Sequence, residues 1–131
     1  MIVLDTHTLI WFLTEPKKLS KIAFETIEQE LKKSELYVSS ITIWEICHLV
    51  QRKRINFSGS LEHTINTINK MEELKFLPID NNIAYKSQTL SGVFHADPAD
   101  RIITATAITI GAKLVTKDAK IRKYKHVETI W

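Results

Sequence analysis

The chain has 131 residues, enough for one hydrophobic core and one domain. Its 44% hydrophobic and 25% charged residues are ordinary for a globular protein, and a net charge of +3 is compatible with a nucleic-acid partner without arguing for one. The single cysteine, Cys47, excludes an internal disulfide and a cysteine-based zinc site, and three scattered glycines exclude a glycine-rich phosphate loop or a dinucleotide fingerprint.

Met1 to Leu4 reads as a short buried strand with no basic region or apolar signal core ahead of it. No later run approaches the roughly 18 apolar residues of a membrane span. The expectation is a cytoplasmic protein with no membrane partner. Thr6 to Leu13 reads as a helix stopped at Glu15-Pro16, because the residue before proline is pushed out of helical geometry. Ser20 caps a second helix reaching about Lys33, with Ile22, Ala23, Ile27 and Leu31 at helical spacing. Leu36 to Val38 is a second strand, and Ser39-Ser40 offers a cap for an apolar helix that runs to about Arg52. Arg52 to Ser58 is a polar connection.

Ser60 opens a further helix carrying Leu61, Ile65, Ile68 and Met71 through Glu72. Phe76 to Ile79 is a third strand, and Pro78, which has no N–H to donate, points to a sheet edge. Asn81 to Leu90 is helical, and Ser91 to His95 is a loop. Asp97-Pro98 starts a helix that closes at Gly111. Lys113 to Thr116 is a fourth strand, Asp118 caps a short helix to Tyr124, and Val127 to Ile130 offers a fifth strand. Strands alternating with helices imply an α/β fold: a three-layer α/β/α domain spanning residues 1–131, with a central, mostly parallel sheet of four to five strands.

The acids stand out against this frame. Asp5 and Asp118 follow the first and fourth strands, Asp97 and Asp100 open a helix, and Glu45 lies within the apolar helix. Open α/β sheets bind ligands beyond the carboxyl ends of their strands. Carboxylates gathered there repel one another unless a cation joins them, so the pattern points to a divalent-metal site. Each has a plainer reading. Asp5, Asp97 and Asp118 can cap helices, Asp100 can complement a helix dipole or pair with Arg101, and Glu45 can pair with Arg101 or Lys117. Glu45 resists the plainer reading best, because a carboxylate bracketed by Trp44, Ile46 and Cys47 is costly to bury unpaired. Cys47 itself reads as a packed small hydrophobe.

The runs Val3-Leu4-Asp5-Thr6-His7, Trp44-Glu45-Ile46, His95-Ala96-Asp97-Pro98-Ala99-Asp100-Arg101-Ile102-Ile103 and Leu114-Val115-Thr116-Lys117-Asp118 resemble PIN-domain ribonucleases. The resemblance is closest to the VapC-like toxins of bacterial toxin–antitoxin pairs, and it covers essentially the whole chain in the expected order. It implies a metal-dependent endoribonuclease with Asp5, Glu45, Asp100 and Asp118 as the acidic tetrad, holding Mg²⁺ or Mn²⁺. By the same resemblance Thr6 and Thr116, with Ser39 or Ser40, match small hydroxyl positions beside the site; Asp97, read from its place before Pro98 as a cap first, has an outer role at the site as its second reading. The resemblance further implies an antitoxin partner, an RNA substrate, a homodimer, and products with a 5′-phosphate and a 3′-hydroxyl.

His7 and His95 flank the acids, where either could contact substrate or shuttle a proton, and hydrogen bonding to nearby backbone is the plainer account of them. Lys117 and Lys120, beside Asp118, are candidate phosphate contacts. Trp11, Phe12, Leu13, Ile22 and Phe24 read first as core and second as a groove for a partner segment. Two other readings compete. A phosphoacceptor signalling module calls for adjacent acids after the first strand, where this chain has Asp5-Thr6. A catalytically silent binding domain has no need of a complete tetrad.

Overall fold

The computed structural model describes all 131 residues. Five strands, β1 (Ile2–Leu4), β2 (Leu36–Ser39), β3 (Leu74–Leu77), β4 (Lys113–Val115) and β5 (Thr129–Ile130), form one sheet in the order β3-β2-β1-β4-β5. Every pairing is parallel. The intervening helices are α1 (Thr6–Thr14), α2 (Lys21–Lys32), α3 (Ile41–Gln51), α4 (Leu61–Asn69), α5 (Asn81–Gln88), α6 (Pro98–Ile110) and α7 (Ala119–Arg122), with a 3-10 turn over Pro16–Lys18.

Alternation along the central strands buries both sheet faces, as an all-parallel sheet requires. Ile2 and Leu4 join a core with Leu9 and Ile10 of α1, Ile27 of α2, Ile46 of α3 and Ile68 of α4. Val3 and Leu114 point the other way, onto Ile103 and Ala107 of α6 and Ile121 of α7. Two apolar layers therefore clamp β1 and β4, and the three-layer α/β/α expectation is met with five strands.

Local chemistry explains the element ends. Ser20, Ser60 and Asp80 accept the N–H groups of Ala23, His63 and Ile83 and so start α2, α4 and α5. Gly111, at φ 67° in the left-handed region, closes α6. Three boundaries differ from expectation. The helix expected through Glu72 stops at Asn69, because Met71 N–H bonds Ile68 O in a tighter turn that still keeps Met71 against the core. The third strand begins at Leu74, two residues early, because it aligns with Leu36 of β2; Pro78 falls just past it, and β3 is an edge as proline suggested. Ser39 belongs to β2, and Ser40 takes the cap position of α3 without a side-chain bond.

Ile103 is fully buried on the α6 side of the sheet. Ile103→Ala is expected to lower unfolding free energy by about 2–5 kcal/mol in urea titration. Tyr85→Ala, at a side chain 71% exposed, should stay within about 0.5 kcal/mol of the parent.

Candidate active site

The sheet order reverses direction at β1, which has β2 on one side and β4 on the other. The crevice beyond the carboxyl ends of β1 and β4 is therefore the topological switch point, where α/β sheets hold ligands. Leu4 pairs with Val115, so the next residues, Asp5 and Thr116, emerge side by side.

Asp5 caps α1: its Oδ1 accepts the Thr8 N–H at 2.7 Å, and its Oδ2 accepts the Thr116 hydroxyl. The Thr116 oxygen in turn accepts the Asp118 N–H at 3.0 Å. One hydroxyl thus ties the acid after β1 to the acid after β4. Asp118 caps α7, its Oδ1 accepting from Lys120 N and Ile121 N at 2.8 and 2.9 Å. Asp97 caps α6 by accepting the Asp100 N–H at 2.9 Å. The capping readings of Asp5, Asp97 and Asp118 are all correct, and none uses up its carboxylate.

Asp5 is only 8% exposed, and burial drives its carboxyl above the usual carboxylate range against the opposing pull of the Thr116 and Thr8 hydrogen bonds and the His7 charge. Asp100 is pushed up to about 6. Burial is the main cause; Asp97 and Asp118 push the same way, and the His95 hydrogen bond opposes them. Glu45 is raised by burial first and by the Asp97 and Asp5 charges, with the Thr6 hydroxyl and His7 opposing. The Thr6 hydroxyl that opposes the rise also lies 3.3 Å from Thr42 Oγ1. Glu45 feels the charges of Asp5 and Asp97, and Asp100 those of Asp97 and Asp118, so the acids predicted from sequence share one electrostatic environment.

Several sequence expectations need correction. Glu45 is half-buried at the crevice, not enclosed in apolar packing, because α3 turns Ile46 inward and leaves Trp44 58% exposed. Arg101 pairs with no acid. Its guanidinium donates to the carbonyls of Ser87, Phe94 and His95 at 2.8, 3.1 and 3.1 Å. Lys117 lies with Nζ over the Trp11 ring, 5.7 Å from its centroid, and neither it nor Lys120 forms an ion pair. His95 does not bond backbone; its Nε2 meets Asp100 Oδ2 at 2.7 Å. That contact had no signal in the sequence beyond the five-residue separation, since it depends on the path of the loop between α5 and α6.

No Lys or Arg neutralises the cluster. The acids are gathered but not closed up: no three His, Cys, Asp or Glu side chains stand near enough to form a ready-made cation cage. The donor set still suits a hard divalent ion. It consists of carboxylate oxygens, and Asp100 Oδ1 and Asp118 Oδ2 carry no internal hydrogen bond.

The PIN-domain family model matches residues 2–127. The chain belongs to the PIN-domain family. The ribonuclease VapC22 of Mycobacterium tuberculosis is 33% identical over 132 residues, covering 99% of this chain and 98% of the relative. Among solved structures, VapBC2 from Rickettsia felis bound to a promoter DNA fragment superposes at a TM-score of 0.71 with 18% identity, covering 99% of this chain and 98% of that one. FitAcB from Neisseria gonorrhoeae superposes at 0.70 with 18% identity, covering 100% and 97%. These two share the PIN fold with the chain. PIN ribonucleases depend on metal, and the crevice of this PIN domain has the oxygen chemistry for it.

A carboxyl whose folded pKa exceeds its unfolded value holds its proton more tightly in the native state. The stability it contributes is complete below the unfolded value and is lost as pH rises through the folded one. For Asp100 that window runs from 3.8 to about 6. In EDTA, the wild-type melting temperature is expected to fall across this range. Asp100→Asn should flatten the fall and melt higher at pH 7, as read by calorimetry.

Proposed function

We propose that this chain is a metal-dependent endoribonuclease and the toxin of a toxin–antitoxin pair. The observation that carries the reading is the switch-point crevice, where Asp5, Glu45, Asp100 and Asp118 are gathered without a lysine or arginine to balance them. Family membership and the VapC22 relative supply the reaction class.

In this reading residues 1–131 form one PIN domain, and Asp5, Asp100 and Glu45 hold the principal Mg²⁺ or Mn²⁺ ion, directly or through water. Asp118 completes the site or orients the attacking water. When bound, the ion supplies Lewis-acid stabilisation of phosphoryl charge and an activated water nucleophile. The chain's own groups do the positioning. Thr116 keeps Asp5 in one rotamer and links it to the start of α7. Thr6 steadies Glu45, and Asp97 anchors the first turn of α6 so that Asp100 projects into the crevice. Lys120, free of ion pairs beside Asp118, and Lys117, once it leaves Trp11, attract the RNA backbone.

The partners follow from the same reading: an antitoxin chain, RNA and a second copy of this chain, acting in the cytoplasm. No helix is long and apolar enough to cross a membrane. A phosphoacceptor role finds no adjacent acid, since buried Thr6 follows Asp5.

Purified protein is expected to cut RNA internally with Mn²⁺ or Mg²⁺ and to stop in EDTA. Asp5→Asn should reduce cleavage by more than the roughly 10–100-fold that loss of an outer partner of a metal ligand costs. Equal activity of this variant and the parent in a gel-based cleavage assay would exclude the site.

A further inference from the structure

The loop between α5 and α6 is built around one imidazole. His95 Nε2 lies 2.7 Å from Asp100 Oδ2, and its ring stacks on Phe94 with centroids 4.5 Å apart and planes 21° from parallel. Phe94 is held in turn by the edge of Tyr124, 4.9 Å away and tilted 80°, and by the Arg101 guanidinium 5.8 Å from its centroid. Tyr124 donates its hydroxyl proton to Ser91 O at 2.8 Å, closing the start of the loop. Arg101 closes its end, gripping the carbonyls of both Phe94 and His95. Phe94 also packs on the core beside α6, and Tyr124 is buried there, so the loop is anchored to the body of the fold although the neighbouring Val93 is 97% exposed.

We propose that His95 is the positioning residue for Asp100: it donates a hydrogen bond to Oδ2, fixes the plane of the carboxylate, and leaves Oδ1 facing the crevice for a divalent cation. This rests on the metal-site reading above. A carboxylate on the first turn of a helix has free rotation about its side-chain bonds, and repulsion from Asp97 and Asp118 favours rotamers that turn it away. An N–H donor on a stacked ring opposes that tendency without occupying the metal-facing oxygen. It is the role that outer hydrogen-bond partners play for metal-binding carboxylates. The Arg101 carbonyl grip and the Phe94 stack hold the imidazole where this geometry demands.

The test is Mn²⁺ binding to the full chain without RNA, followed by Mn²⁺ electron paramagnetic resonance and by titration calorimetry. His95→Leu fills the ring's space without a donor and is expected to weaken Mn²⁺ binding about 10–100-fold. His95→Gln, whose amide reaches the position of Nε2, should restore it to within about 3-fold of the parent, with melting temperatures in EDTA similar for all three. A folded His95→Leu protein that binds Mn²⁺ like the parent overturns the proposal. So does a Gln variant as weak as the Leu variant. Should His95→Leu fail to fold, Phe94→Leu decides, because it removes the stack and keeps both hydrogen-bonding partners: weakened binding supports the role, and parental binding overturns it. A parent chain that binds Mn²⁺ but cuts no RNA refutes the nuclease reading alone, whereas one that binds no Mn²⁺ refutes both.

Discussion

Asp5 follows the central strand of a parallel sheet, and its carboxylate is almost wholly removed from water with no lysine or arginine paired to it. An isolated buried carboxylate is among the most expensive groups a fold can hold, and it persists only where hydrogen bonds or a cation compensate it. Here the compensation within the chain is partial. Thr8 N–H and the Thr116 hydroxyl each give one bond, and the carboxyl remains harder to ionise than a free one. The rest of the crevice is arranged around that deficit. Thr116 passes the connection on to Asp118, while Glu45 and Asp100 bring further negative charge from two helices.

The fold makes this tolerable by separating two tasks. Stability resides in the apolar layers on either face of β1 and β4, where Leu4, Ile27 and Ile46 pack on one side and Val3, Ile103 and Ile121 on the other. The acids lie at the strand ends, where each other than Glu45 also serves a helix terminus. Asp5, Asp97 and Asp118 cap α1, α6 and α7, so the residues that start these helices are also the acids at the sheet's carboxyl edge. The capping reading and the metal reading of these aspartates are therefore compatible. A carboxylate has about four acceptor sites, and a cap uses one or two.

The acids stand apart rather than touching. Ionised carboxylates that share a space repel one another, and positive charge relieves that repulsion. The hydroxyls around them, Thr6, Thr42 and Thr116, are all buried and supply short-range donors that a carboxylate can use without being neutralised. Lysines are kept at the margin: Lys117 rests on Trp11, and the ion pairs of the surface lie elsewhere, as between Lys113 and Glu128.

Much of this protein was legible in the order of its residues. Short β-branched runs, serine and aspartate caps, Asp97-Pro98 and Gly111 marked the elements, because those signals act over a few residues. That the acids gather beyond one end of the sheet was legible too, since each lies at a strand end or on a helix whose place in an α/β sheet is implied by topology. What tertiary structure alone decided were contacts whose partners are set by the path of a loop or the rotation of a helix. Arg101 turned from its neighbouring acid to backbone carbonyls, and His95 found Asp100 in place of the backbone. Glu45 came out half-exposed because the rotation of α3 commits Ile46 to the core. Periodicity shows that a side chain shares a face; only packing in three dimensions determines which neighbour satisfies its charge.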